Sequence, residues 1–222
     1  MSDYITVRQF LASDGVDDWR VVGDGALAFF ATTSFAESTR FASAIAELPG
    51  VEDHKPGIDI RDDGVTVRLV TASPDHYGVS QRDLDLARAI SGVGRRLGLI
   101  ADPGAIWGLL VIPGAPDIRA VMPFWQAILG YQPRPDSPAE DLVDPRGRGA
   151  PFWFEEMEQP RTDGGGAIHL AVWLPYEQAE ARIEAALAAG GHMVRDEFAP
   201  SWWTLADAYG NEVDISTPKS RD

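Results

Sequence analysis

Four histidines, at positions 54, 76, 169 and 192, are the side chains of this 222-residue sequence best suited to proton transfer at neutral pH. Imidazole has an unperturbed pKa of about 6.5 and so can give or take a proton there. The sequence has no cysteine, which excludes disulfides, thiolate metal sites and a thiol nucleophile, so any metal would have to be held by His, Asp or Glu. His54 stands in Glu52-Asp53-His54-Lys55-Pro56, and His76 in Pro74-Asp75-His76-Tyr77-Gly78. On composition alone both are turn segments whose histidines face water. His192 follows Gly190-Gly191 just past an expected helix end and reads as a surface residue. Gly164-Gly165-Gly166 is no phosphate loop, since no Lys-Ser/Thr follows and a strand comes next. Asp62-Asp63-Gly64 lacks the later oxygen ligands of a calcium loop and reads as a turn before a strand.

The elements that must position these residues fall into two halves. The stretch Ile100-Ala101-Asp102-Pro103-Gly104 has the composition of a short linker, which divides the chain into residues 1–102 and 103–222. In the first half, Ala26 to Phe30 reads as a strand and Ser34 to Leu48 as a helix, with Phe41, Ile45 and Leu48 on one side and Pro49-Gly50 as its stop. Val65, Val67 and Leu69 alternate along a strand that runs to Thr71. Ser80 with Asp83 three residues later resembles a capping box, and Leu84, Ala87, Ile90 or Ser91, and Gly94 follow at helical spacing to about Leu99. The second half contains itself twice, because Ile106 to Pro113 matches Ile168 to Pro175 in pattern, 62 residues on. A helix follows each copy, through Val121, Trp125 and Ile128 in the first and Ala179, Ile183 and Leu187 in the second. Short strands then close each copy: Glu140 to Asp144 and Pro151 to Met157, and Trp202 to Ala206 and Glu212 to Ser216. The fold class is therefore α+β in two domains, with two strand-helix-strand units packed side by side in the second.

Composition limits the partners. The formal net charge is -15 and no Lys/Arg-rich run exists, so nucleic acid and anionic membrane surfaces are poor partners. No segment approaches the roughly 18 to 20 apolar residues of a membrane span, and the N-terminus lacks a basic-then-apolar leader. The expected location is cytoplasmic. With 45% hydrophobic residues and seven Trp the chain can fill two cores.

At Glu52-Asp53-His54-Lys55-Pro56 the first half resembles the pterin-4a-carbinolamine dehydratase family, whose pattern is an acidic residue, His-His-Pro, a strand ending Thr-His, and a Gly-Leu/Val-Ser/Thr-x-x-Asp helix start. The likeness extends over residues 4–99, with Gly78-Val79-Ser80-Gln81-Arg82-Asp83 as the helix start. Lys55 stands where the family has its second His, and Ala72 where it has the third. Two residues are inserted between Thr71 and Gly78, and His76 lies among them, either as a turn residue or re-entering the site from a new position. The family removes water from a 4a-hydroxytetrahydropterin to give the quinonoid dihydropterin, without a metal or other cofactor. The resemblance implies His54 as general acid/base, Lys55 as a second proton donor or pterin-orienting cation, and Asp83 as a carboxylate lining the site.

The second half resembles the vicinal oxygen chelate superfamily, the glyoxalase/bleomycin-resistance-like proteins, over residues 105–218. Phe124 to Tyr131, Asp141 to Pro145 and Asp207 to Val213 carry the likeness. It implies paired βαβββ modules around a cup, with metal ligands at the positions of Trp107, Glu155, His169 and Asp214. Trp107 has no lone pair to give, so a divalent metal on Glu155, His169 and Asp214 and a dry organic-ligand pocket both stay open. The tryptophans are core residues by default. Some of them, Trp107, Trp153 and Trp203 among these, could line a cavity for a flat ligand. Three functions follow: a hydro-lyase acting on a pterin, a two-pocket protein that binds small aromatic ligands without turnover, and a metal-dependent enzyme in the second half. Both resemblances imply homo-oligomers.

Overall fold

The computed structural model describes residues 3–119, 122, 126, 131–157, 168–188, 191–206 and 212–219, the side chains of 168 and 169 excepted. It divides into two compact units, the first running to Ile106 and the second beginning at Trp107. Among the described residues no helix is long and apolar enough to cross a membrane.

The first unit is built on β2 (Gly25–Ala31) and β4 (Gly64–Leu69), which pair antiparallel so that Ala26, Ala28 and Phe30 stand opposite Leu69, Val67 and Val65. All six are buried, as the period-2 pattern requires of one covered sheet face. Strand β1 (Arg20–Val22) lies beyond β2, and β3 (Gly57–Ile60) beyond β4 as the far edge. Three helices cover the sheet: α1 (Val7–Leu11), α2 (Phe35–Ala46) and α3 (Gln81–Leu97). They contribute Phe10, Phe41, Ile45, Ala87, Ile90 and Val93 to one core around Trp19. The Trp19 indole N–H is satisfied there by Ser91 Oγ at 3.0 Å. Helix α2 starts at its Ser34 cap, and α3 ends at Gly98, whose φ of +73° suits glycine.

Two differences from the sequence reading have simple causes. The strand expected to run from Val65 to Thr71 ends at Leu69, because the last rung on β2 is Ala26 opposite Leu69. Thr71 then opens a separate hairpin of β5 (Thr71–Ser73) and β6 (His76–Gly78). The stretch Ile100–Gly104 is not a free linker. Ile100–Ala101 form β7 against Ala31 and Phe30 of β2, and the Asp102 N–H donates to the Phe29 carbonyl at 2.9 Å. Backbone groups left open along β2 past the end of β1 find partners there.

Among the described residues the second unit carries a nine-stranded sheet. Its centre is β8 (Gly108–Ala115) antiparallel to β13 (Ile168–Trp173). On one side follow β11 (Phe152–Trp153) and β12 (Glu155–Glu156), both parallel to β8, then β10 (Asp141–Val143) and β9 (Gln132–Pro133). On the other follow β16 (Glu212–Ser216), parallel to β13, then β15 (Trp202–Ala206) and β14 (His192–Arg195). The first strand of each copy thus pairs parallel with the last strand of the same copy. Helix α4 (Tyr176–Ala188) packs Ala179 and Ile183 against Val172, Leu205 and Ile215. Val121, Trp125, Ile128, Gly130, the stretch 158–167 and residues 207–211 lie outside the described residues.

Helix α3 approaches the sheet closely enough that a Cβ at Gly94 would come within 2.8 Å of Phe30 Cε1. Helix propensity alone favours Gly94→Ala by roughly 1 kcal/mol. Phe30 is 1% exposed and enclosed, so overpacking, at about 1 to 3 kcal/mol, outweighs that gain. Gly94→Ala should lower the urea midpoint of the first unit, and Gly94→Val should lower it further.

Candidate functional site

The site in the first unit begins at the end of α2. Gly50, at φ +80°, reverses the chain, and the His54 N–H returns to the carbonyls of Gly50 and Val51 at 3.1 and 3.3 Å. This compact turn delivers the His54 ring to the first turn of α3, where its Nε2 lies 2.6 Å from Asp83 Oδ1. Asp83 is the third residue of α3 and is fully buried. Its Oδ2 receives the Ser80 backbone N–H at 2.8 Å and stands 2.7 and 2.8 Å from the hydroxyls of Thr71 and Ser80. Those two hydroxyls are themselves 2.7 Å apart, so two protons serve three short oxygen–oxygen contacts, two at a time. The Ser80 hydroxyl also accepts the Asp83 N–H, which closes the capping box expected from Ser80 and Asp83.

The backbone N–H and the two hydroxyls gathered on Asp83 Oδ2 are the surroundings of a carboxylate rather than a carboxylic acid. The His54 hydrogen therefore sits on Nε2, between the ring and Oδ1. That leaves Nδ1 as the ring nitrogen not engaged by Asp83. The ring is 16% exposed, and among the described residues its hydrogen bond runs through Nε2. A carboxylate held in this way fixes the aim of the imidazole.

The other residues singled out in the sequence are arranged differently. The Lys55 ammonium pairs with Glu52 at 3.3 Å, with both side chains largely exposed, at 72% and 82%. It is not brought into the Asp83 cluster. Ala72 pairs with Tyr77 in the hairpin and is exposed. His76 stands opposite Ser73, two rungs along the hairpin from the pair formed by Thr71 and Gly78, so it shares the face from which Thr71 reaches Asp83. Its ring stacks on Tyr4, and its Nε2 is buried with no hydrogen-bond partner among the described residues.

The N-terminal unit thus carries the capping box, the aspartate-bound histidine and the hairpin threonine in one cluster. Over residues 5–93 the sequence matches the profile of pterin 4 alpha carbinolamine dehydratase. The chain belongs to that family. A provisionally named pterin-4-alpha-carbinolamine dehydratase from Mycobacterium avium is 42% identical over 60 residues, 27% of this chain and 62% of that protein. One from Halobacterium salinarum is 35% identical over 74 residues, 32% of this chain and 77% of that protein. Residues 110–216 match the glyoxalase-like domain profile. A solved glyoxalase/bleomycin resistance protein/dioxygenase superfamily member from Vibrio splendidus is 12% identical, with a TM-score of 0.35, over 50% of this chain and 99% of that one.

In the glyoxalase-like half, register assigns the faces. Phe152 and Phe154 pack in one core cluster, and Trp203, Leu205, Val213 and Ile215 in another. Trp153 and Glu155 alternate with the first set, and Trp202, Thr204 and Asp214 with the second, so they lie on the opposite face. Trp203 is therefore part of the packing beneath α4, and its neighbour Trp202 is on the face with Asp214. Across β8 and β13, even-numbered residues of one strand pair with odd-numbered residues of the other, as Ile112 does with position 169 and Leu110 with Ala171. An offset of 62 would exchange the two faces. Trp107 precedes β8, is 61% exposed, and is not the counterpart of position 169.

The metal positions are likewise spread over the ladder. Glu155 stands opposite Gly114 on β8, whereas Asp214 stands opposite Ala171 on β13, in the rung of Leu110. Asp214 accepts the Thr204 hydroxyl at 2.7 Å in a buried contact. The side chain of His169 lies outside the described residues. Among the described residues no three His, Asp or Glu side chains could hold a metal ion together, and no chemical step is assigned to one. His192 opens β14 opposite Ala206 and is exposed.

If Asp83 is the anchor, Asp83→Asn should cost about 2 kcal/mol or more in urea unfolding, because it turns a charge-assisted network into a poorly matched one. Lys55→Ala should change stability by less than about 0.5 kcal/mol, as an exposed pair does.

Proposed function

We propose that the N-terminal unit dehydrates a 4a-hydroxytetrahydropterin, with His54 as the group that moves the proton. The observation that carries this reading is the 2.6 Å contact between His54 Nε2 and the buried, donor-saturated Asp83, which leaves Nδ1 for a ligand. In the proposed step Nδ1 takes the proton from N5 of the substrate as the C4a–N5 double bond forms and the C4a–O bond breaks. The imidazolium then returns that proton to the departing oxygen. Water and the quinonoid dihydropterin are the products, the imidazole ends neutral, and no external acid, base or redox partner is consumed. One histidine can serve both ends of this exchange in turn, which suits a site where Lys55 faces solvent and position 72 is alanine.

A second reading, retention of a pterin-like ligand without turnover, is favoured by Lys55 and Ala72, which supply no second proton donor beside His54. For the glyoxalase-like half we propose an organic-ligand surface on the face of Trp153, Glu155 and Asp214.

The test is the decay of freshly generated 4a-carbinolamine, followed by ultraviolet absorbance. The full-length protein should accelerate it, and His54→Ala should lower the rate by about 100-fold or more, the scale of lost acid/base catalysis. Asp83→Asn should fall between the two. A wild-type rate equal to buffer, combined with saturable quenching of tryptophan fluorescence by a pterin, would replace turnover with binding.

A further inference from the structure

The segment Asp3–Ile5 lies outside the named strands, yet it is tied to the surroundings of Asp83 on several sides. Tyr4 forms an antiparallel bridge with Ser80. The Ile5 N–H donates to the Val79 carbonyl at 3.2 Å, and the Gln81 N–H donates to the Asp3 carbonyl at 2.7 Å. The Tyr4 ring stacks on His76 with centroids 3.8 Å apart and planes 12° from parallel, and its hydroxyl meets Ser73 Oγ at 2.5 Å. Tyr4 therefore touches both arms that hold Asp83: the β5–β6 hairpin, which supplies the Thr71 hydroxyl, and Ser80, which supplies a backbone N–H and a hydroxyl.

His76 explains how the hairpin arm is gripped. Its buried Nε2 makes no hydrogen bond among the described residues, and an orphaned buried polar atom is destabilising. The ring edge lies over Gly78, where a Cβ would come within 3.3 Å of Cε1 and 3.4 Å of Nε2, so the glycine leaves room for the imidazole. The use the ring makes of this position is its flat face, against which the phenol lies.

We infer that Tyr4 is a positioning residue for the His54–Asp83 pair: stacked on His76 and bridged to Ser80, it locks together the two arms that orient the Asp83 carboxylate. His76 takes part through its ring face and not as a proton carrier. The inference rests on the proposed function only for the catalytic meaning of that pair, and its test is read without substrate.

The measurement is proton NMR of the full-length protein, following the His54 Nε2–H resonance held by Asp83 and assigned by its absence in His54→Gln. Tyr4→Ala should speed exchange of that proton with water by roughly 10-fold or more, since opening of the local network governs exchange. Tyr4→Phe, which keeps the stack, should stay within about 3-fold of wild type, and His76→Phe should also retain the resonance while raising thermal stability, as expected from removing an orphaned nitrogen. Should circular dichroism show Tyr4→Ala unfolded, Tyr4→Leu, which fills the space without stacking, carries the same expectation. Wild-type exchange in the folded Tyr4→Ala or Tyr4→Leu protein would overturn the inference, as would loss of the resonance in His76→Phe. Where carbinolamine turnover is measurable, Tyr4→Ala should lower kcat with little change in KM, while His76→Phe keeps kcat. An inactive wild type would overturn the proposed function and leave the exchange result standing.

Discussion

A buried carboxylate must be surrounded by donors, and in the first unit that requirement falls on Asp83. Removing a carboxylate from water costs several kcal/mol unless hydrogen bonds replace the lost hydration. Asp83 is fully buried, and its replacements come from three separate pieces of chain: the turn after α2 gives His54, the β5–β6 hairpin gives Thr71, and the start of α3 gives Ser80. Each piece is anchored by its own local structure, the turn by Gly50 and the helix by its capping box. The charge thus ties folding to site geometry. If any donor is displaced, a buried anion is left short, so the arrangement of low energy is also the one in which His54 is aimed.

Much of this could be read from residue types because the devices involved are local. Ser80 three residues before Asp83 is a capping box wherever it occurs at a helix start, and the structure contains it. The alternation of Val65, Val67 and Leu69 and the helical spacing of Leu84, Ala87 and Ile90 mark faces that are buried. The meeting of His54 with Asp83 spans 29 residues, and the family resemblance placed both in one site without pairing them. The Tyr4 stack was not legible, because nothing in a short N-terminal segment indicates which distant ring it will lie against. Nor was the hairpin at Thr71, since a β-branched run gives no sign of where its partner strand stops.

In the glyoxalase-like half the limit was parity. Pattern matching aligns apolar runs well, yet a shift of one residue along a strand moves every side chain to the other face. The repeat at 62 residues located both opening strands, and the sheet register then separated Trp107 from position 169 and placed Trp203 beneath α4 in place of its neighbour Trp202. Hydrophobicity does not distinguish Trp202 from Trp203. Only hydrogen-bonded pairing does.

The short strand Ile100–Ala101 has a bearing on how the molecule is made. It covers the stretch of β2 that β1 leaves bare, and it is separated from β2 in the chain by the whole of α2, β4 and α3. During vectorial synthesis the earlier parts of the first unit leave the ribosome before this piece does. Its sheet is finished by residues near the end of that unit, so the boundary between the halves doubles as the closing stitch of the half made first.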